Sequence, residues 1–174
     1  MIEFVNKNFK NDFIFTITTN GTLLTKERIK FLKDNNIEVL LSLDGNKNTQ
    51  DYNRPMKNKQ SSFDIITKIL PELQKNFSEL IMRATIYEDT VSELFNNYLF
   101  AINNNFFSVN FIPDERHPWK KENYEILKNE IKKIYLFTIR YFLTYNKLPI
   151  HSCLFEQSML RILKQDKNKN LDIF

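Results

Sequence analysis

The amino-acid sequence predicts an α/β chain built on a parallel sheet, either doubly wound or a sector of a barrel. Three observations predict it. Four apolar, β-branched runs (13–19, 37–43, 79–86 and 106–112) alternate with amphipathic segments. The connections between them have ordinary lengths. The two glycines among the 174 residues, Gly21 and Gly45, each stand two residues beyond the end of such a run.

The first run, FIFTITT (13–19), reads as a strand, and TKERIKFLKD (25–34) as a helix capped by Thr25, with Ile29 and Leu32 on one face. The intervening Asn20-Gly21 step is a strong hairpin signal. Helical periodicity in the residues after it predicts instead a parallel strand end opening into a crossover. IEVLLSL (37–43) is nearly continuous in apolar content, as in a strand covered on both faces. A polar loop, 44–60, follows. A helix capped at Ser61 or Ser62 runs into Pro71, which is expected to kink or end it. ELIMRATI (79–86) predicts a third strand, and 91–104 a helix with Leu94, Tyr98 and Ile102 at spacing four. FFSVNFI (106–112) predicts a fourth strand, ending at Pro113.

From Pro118 the pattern becomes one long helix, with Leu127, Ile131, Ile134, Thr138, Tyr141 and Tyr145 recurring every three or four residues. At 1.5 Å per residue its length is about 40 Å. The tail from Ser152 reads as a further helix with a polar end. The division expected is therefore 1–113 as the sheet-bearing unit and 114–174 as a helical extension.

Composition narrows the function classes. A net charge of +4, with both signs interspersed, gives a mildly basic surface without the clustered stripe of a nucleic-acid binder. No apolar segment reaches the roughly 20 residues of a membrane span, and IYLFTIRYFL carries Arg140 inside it. The polar N-terminus carries no secretory signal. A single cysteine, Cys153, excludes an internal disulfide and points to a cytoplasmic location, where it is expected to be a small buried residue. His117 and His151 have no third ligand at a known metal spacing, and no metal ligands are assigned.

The carboxyl edge of the predicted sheet collects polar groups: Thr18, Thr19 and Asn20 from the first strand, Ser42 and Asp44 from the second, Arg83 and Thr85 from the third. Such groups in a covered strand are costly unless paired. Two arrangements satisfy them. In one, the rim binds a zwitterionic, hydroxyl-rich small molecule, with Arg83 clamping a carboxylate and Asn20, Ser42 or Asp44 bonding hydroxyls or an amine. In the other, Arg83 pairs internally with Asp44. Above the rim, Arg54 of DYNRP (51–55) either covers the pocket or pairs with Asp51 on the surface. Gly21 and Gly45 allow a sharp turn or a close approach of backbone to ligand at the same edge.

These residues carry a resemblance. FTITTNGTLLTKERIKFLKDNNIEVLLSLDG, followed by DYNRPMKNKQSSFDIITKILPEL and MRATI, resembles in order and spacing the middle of radical S-adenosylmethionine enzymes. The branch concerned matures peptides and sulfatases and carries a C-terminal SPASM-type cluster domain. The resemblance covers roughly residues 10–112, and NFIPDERHPWKKENYEILKNEIKKI looks like the portion leading toward the auxiliary domain. It implies a partial (β/α) TIM-like barrel of about four βα units followed by long C-terminal helices. The cofactors it implies are S-adenosylmethionine and a [4Fe-4S] cluster, and the substrate a peptide or protein. Ser42 and Arg83 match positions that contact the methionine and ribose parts of the cofactor. Asn20, Gly21 and Asp44 lie in the adjoining strand-end motifs.

The sequence also departs from that pattern. The cluster requires three thiolates in a Cys-x3-Cys-x2-Cys loop, and the chain has one cysteine. The Gly-Gly-Glu-Pro stretch of the family is absent too. The expectation is a fragment of such a maturase that holds an S-adenosylmethionine half-site and is inactive alone, its catalytic residues unknown. The alternatives are a non-catalytic peptide- or partner-binding remnant of the same fold, and an unrelated α/β binder. A truncated barrel leaves its first strand as an open edge, which predicts self-association.

Overall fold

The computed structural model describes residues 5, 8, 13–116 and 118–154. Five strands form one sheet in the order β1-β2-β3-β4-β5, and every neighbouring pair is parallel. They are β1 (Phe15–Thr19), β2 (Ile37–Ser42), β3 (Ile81–Ile86), β4 (Ser108–Pro113) and β5 (His151–Ser152). The helices are α1 (Lys26–Asp34), α2 (Lys47–Asn53), α3 (Ser62–Asn76), α4 (Leu94–Asn103) and α5 (Lys121–Tyr145). A 3-10 turn, Glu88–Glu93, leads into α4. No helix among the described residues is long and apolar enough to cross a membrane.

Strand order decides between the two architectures. A doubly wound sheet reverses its order and carries helices on both faces, whereas sequential order with right-handed crossovers stacks every helix on one face, as in a barrel. Burial shows the second. Val39 and Leu41, Met82, Ala84 and Ile86, and Val109 and Phe111 are buried, alternating with exposed or half-exposed Glu38, Leu40, Arg83, Thr85, Asn110 and Ile112. β2 is therefore covered on one face only along Ile37–Leu41, contrary to its continuous apolar appearance, and on both faces at its last residue, Ser42, which is buried. The chain forms an open sector of a (β/α) barrel whose concave face carries polar side chains.

Local sequence explains most element starts. Thr25 accepts a hydrogen bond from Arg28 N, Asn46 from Thr49 N, and Ser61 from Asp64 N, each cap satisfying an otherwise orphaned donor. The Asn20-Gly21 step is a turn into a crossover. Asn20 Oδ1 accepts from the backbone N–H and hydroxyl of Thr22 at 3.2 and 2.9 Å, and β1 pairs parallel to β2.

Four features differ from expectation. Helix α3 continues through Pro71 to Asn76, because its apolar face of Ile66, Leu70 and Leu73 stays buried across the proline, which itself is exposed. The polar loop 44–60 contains α2, an element with no apolar period to announce it. Helix α5 starts at Lys121 rather than Pro118, because Glu88 accepts from Lys120 N and Asn123 Nδ2 at 2.8 and 2.7 Å and fixes the entry there. Finally, α5 is a crossover into β5, a fifth strand of two residues, too short to carry a period. The tail after Leu154 and His117 lie outside the described residues.

The core lies between sheet and helices. Ile29, Leu41, Leu43, Ile66, Leu73, Leu80, Met82, Leu94, Tyr98 and Ile134 are nearly inaccessible, and the Tyr98 hydroxyl meets Thr138 Oγ1 at 2.9 Å. The stripe expected along α5 is core only in part: Ile134 and Thr138 are buried, but Tyr145 is exposed. Cys153 is half-buried, its Sγ 3.9 Å from Phe111 O.

Both glycines have positive φ, +74° at Gly21 and +143° at Gly45, and both lack room for a side chain. A Cβ on Gly21 would stand 2.9 Å from Leu41 Cδ1, and one on Gly45 only 2.0 Å from Asn97 Oδ1. The close approaches that require glycine are thus to the protein's own packing. Gly45→Ala is expected to destabilise by at least about 3 kcal/mol, combining backbone strain with a clash that Asn97 cannot relieve without losing its own bonds. Urea denaturation of the variant beside Gly45→Ala/Asn97→Ala checks this, since the second change restores part of the loss.

Candidate functional site at the carboxyl rim

Parallel register places residues of one row on the same face. Ser42 aligns with Arg83, and Arg83 with Asn110. One step toward the strand N-termini, Thr18, Leu40, Ile81, Ser108 and His151 form the next row. The row near the carboxyl edge thus sets a hydroxyl, a guanidinium and an amide side by side, with Ser42 buried, Asn110 half-buried and Arg83 exposed. Neither Ser42 Oγ, Arg83 nor Asn110 has a side-chain hydrogen bond or ion pair among the described residues. Arg83 is exposed on this face, so its charge stays solvated and available.

Asp44 is engaged differently. Its side chain has no exposed surface, and Arg54 grips it with both prongs, Nε to Oδ2 at 2.8 Å and Nη2 to Oδ1 at 2.9 Å. Oδ1 also accepts from Thr85 N at 2.9 Å. Neither internal pairing considered from sequence is formed: Asp44 pairs with Arg54 rather than Arg83, and Arg54 with Asp44 rather than Asp51. Burial works against the Arg54 charge, and the Asp44 carboxylate more than restores it, so the guanidinium is held above its ordinary pKa. Asp51 instead serves the start of α3, accepting from Ser61 Oγ at 2.6 Å, Phe63 N at 3.0 Å and Ser62 Oγ at 3.3 Å.

Two buried amides complete the support. Gln50 Oε1 accepts from Asp44 N at 2.8 Å, while its Nε2 donates to Ser62 Oγ at 3.1 Å. Asn97 Oδ1 accepts from Asn46 N at 3.0 Å, and its Nδ2 donates to Thr49 Oγ1 at 3.2 Å. These bonds hold the backbone 44–50 against α3 and α4. Asn20 lines the mouth of a cleft of about 180 Å³ with Thr22, Gln50, Arg54, Met56 and Ser62. Gly21 is buried beside Leu41 and Ile66. Thr19 is turned away from the concave face, its Oγ1 accepting from Gly21 N at 3.1 Å.

The sequence places Ser42 and Arg83 at one sheet edge, and the register sets them side by side in one row. Sequence reading missed Asn110, Gln50 and Asn97. The signal for Asn110 was present in the alternation of SVNFI, which puts Ser108 and Asn110 opposite buried Val109 and Phe111. Among the described residues, no group of three His, Cys, Asp or Glu side chains converges as a metal site would require. His151 stacks on Phe107 at 4.9 Å between ring centroids.

Fold and rim together define a sector of a parallel (β/α) barrel with a polar concave face. Comparison with known proteins connects that class to particular ones. The chain is similar to the cysteine-type anaerobic sulfatase-maturating enzyme of Clostridium novyi (strain NT), with 32% identity over 142 residues, 75% of this chain and 38% of the relative. Among solved structures, native anSMEcpe with bound AdoMet shares the fold at a TM-score of 0.78 and 24% identity, covering 93% of this chain and 46% of that one. Native anSMEcpe with bound AdoMet and the Cp18Cys peptide matches equally, at a TM-score of 0.78 over 93% of this chain and 47% of that one. The chain thus spans less than half the length of these relatives. No protein-family model matches it.

Removing Arg54 would strand a buried carboxylate. Arg54→Ala is expected to cost about 3–5 kcal/mol, and Arg54→Lys to recover little, because an ammonium cannot reproduce the two-pronged geometry. Chemical denaturation of the two variants measures both. Asp51 gives a pH signature. Burial raises its pKa, but the bonds from Ser61, Phe63 and Ser62 outweigh this and leave it below the ordinary 3.8. A carboxyl lowered in the folded state stabilises above its unfolded pKa, and that stability is lost as pH falls through the folded value. Thermal melts from pH 6 down to about 2 should therefore fall more steeply for the parent chain than for Asp51→Asn.

Proposed function

We propose that this chain forms the S-adenosylmethionine-binding sector of a radical S-adenosylmethionine enzyme, of the branch that matures peptides and sulfatases. The observation that carries the reading is the row Ser42, Arg83 and Asn110, in register on a concave face and without side-chain partners among the described residues, in a chain similar to a sulfatase-maturating enzyme over 142 residues. The cofactor is a zwitterion with ribose hydroxyls. The row matches it chemically: a guanidinium for a carboxylate or hydroxyls, a hydroxyl and an amide that both donate and accept. Asn20 adds a polar group from the end of β1, with Gly21 in the loop behind it. Asp44 acts here as a positioning residue, holding Arg54 at the rim while its own oxygens are taken.

S-adenosylmethionine, when bound, supplies a sulfonium carbon–sulfur bond for reductive cleavage. The iron–sulfur cluster that drives such cleavage does not fit this chain, whose one thiol is half-buried against Phe111. In this reading the thiolates come from polypeptide outside the 174 residues, and the sector alone is inactive. The substrate is a peptide, as the peptide-bound anSMEcpe structure supports. The domain boundary proposed is at residue 113, and the location cytoplasmic.

Isothermal titration with S-adenosylmethionine tests the site. Arg83→Ala is expected to weaken binding about ten- to a hundredfold, the value of one charge-assisted hydrogen bond, and Ser42→Ala by a smaller factor. Equal affinity for the parent and Arg83→Ala would sink the assignment.

A second reading, a remnant that binds a peptide or partner, is favoured by one observation. Among the described residues β1 pairs with β2 alone, and Ile14 and Ile17 beside that edge are exposed. An open apolar edge recruits another strand. Sedimentation velocity should show self-association of the parent chain that Ile17→Lys reduces; a concentration-independent monomer in both would remove this reading.

A further inference from the structure

The concave columns do not end at the row of Ser42, Arg83 and Asn110. Alternate residues of a strand share a face about 6.6 Å apart, so Thr85 and Ile112 form the next row. Tyr87 keeps extended backbone beyond β3, and Asp114 N donates to Ile86 O at 2.9 Å, which carries the pairing one residue past β4. Tyr87 and Asp114 therefore make a third row, about 13 Å above Arg83.

An arginine from a loop is fastened to each of the two upper rows. Arg54 holds Asp44 and reaches Thr85 Oγ1 with Nη2 at 3.4 Å. Arg116 holds Asp114 through Nε at 2.6 Å and donates from Nη2 to the Tyr87 hydroxyl at 3.1 Å, its guanidinium carbon 5.7 Å from the Tyr87 ring centre. With Arg83, three guanidiniums thus mark three successive rows. In both upper pairs the carboxylate lies behind the cation. The Asp44 and Asp114 side chains are 0 and 11% exposed, against 30 and 68% for Arg54 and Arg116. Nη1 of each arginine has no partner among the described residues. The carboxylates that follow Tyr87 are engaged elsewhere, Glu88 by Lys120 N and Asn123 Nδ2, Asp89 by the Tyr52 hydroxyl. Burial opposes the Arg54 charge, and the like charge of Arg116 opposes it further, so an anion between them relieves a repulsion. Exposed ion pairs add little to stability, which does not account for two cations presented in this way.

We propose that the tier of Arg54, Tyr87 and Arg116 binds an acidic side chain of the peptide substrate, and so selects peptides with a carboxylate close to the residue that reacts. The proposal rests on the reading of the row below as the cofactor site. There Arg83 serves the cofactor's own carboxylate, which leaves the two upper cations for a second ligand. An extended peptide advances about 3.3 Å per residue, so the acid stands about four positions or fewer from the residue over the cofactor.

Binding of two capped peptides to the 174-residue chain tests this. Acetyl-EAACAAE-amide places a glutamate on either side of a central cysteine, and acetyl-QAACAAQ-amide is its uncharged counterpart. The Nε–H resonances of isotope-labelled arginine follow both by NMR, which also reads weak affinities. The acidic peptide is expected to bind at least about tenfold tighter and to shift the Arg116 signal, and Arg116→Gln to bring the ratio below about threefold. A ratio near one for the parent chain, with or without measurable binding, would overturn the proposal and needs no variant. So would QAACAAQ with a free carboxyl terminus binding as well as the glutamate peptide, since the chain end would then be the ligand. Titrating S-adenosylmethionine into the same samples separates the failures. Cofactor binding without peptide discrimination keeps the row and sinks the tier; discrimination without cofactor binding does the reverse. Loss of cofactor affinity in Arg116→Gln would give the upper cations to the cofactor and refute the tier.

Discussion

The rim of this molecule depends on one buried carboxylate. Asp44, two residues beyond β2, sits in a place without exposed surface, and an unpaired charge there would be costly enough to unfold a marginal domain. Arg54 answers it from the loop after α2, and Thr85 N from the neighbouring strand. One side chain thus fixes the relative positions of β2, β3 and the chain leading to α3. The Ser42, Arg83 and Asn110 row stands just inside that junction. Its spacing is set by sheet register, and its top boundary by the ion pair.

The pair also explains the division of labour among the charged groups. Arg54 carries the internal charge balance, which leaves Arg83 on the concave face with no side-chain partner among the described residues. Had Arg83 paired with Asp44 across the strands, its guanidinium would have been drawn off the concave face. The buried amides Gln50 and Asn97 each join two chain segments beside the rim.

Much of this was legible from local sequence. The caps at Thr25 and Ser61, the parallel sense of β1 and β2, and the gathering of Ser42 and Arg83 at one edge follow from short-range chemistry. What was not legible depends on tertiary context. Pro71 reads as a helix breaker, yet α3 passes through it because burial of Ile66, Leu70 and Leu73 on both sides outweighs one missing bond. β5 is two residues long and is defined by β4 rather than by its own pattern. Arg54 lies ten residues from its partner, across a helix the sequence does not announce. The two glycines were correctly located, but the contacts that demand them, Leu41 and Asn97, are distant in the chain.

The contact between Gly45 and Asn97 has an evolutionary consequence. The amide fills the volume that a methyl group at position 45 would need, and the same amide ties residues 46 and 49 to α4. The two positions, fifty-two residues apart, are therefore bound to change together. A lineage that shortens residue 97 gains freedom at 45 but loses the clamp on the loop. Covariation between these columns would be a signature of this barrel sector.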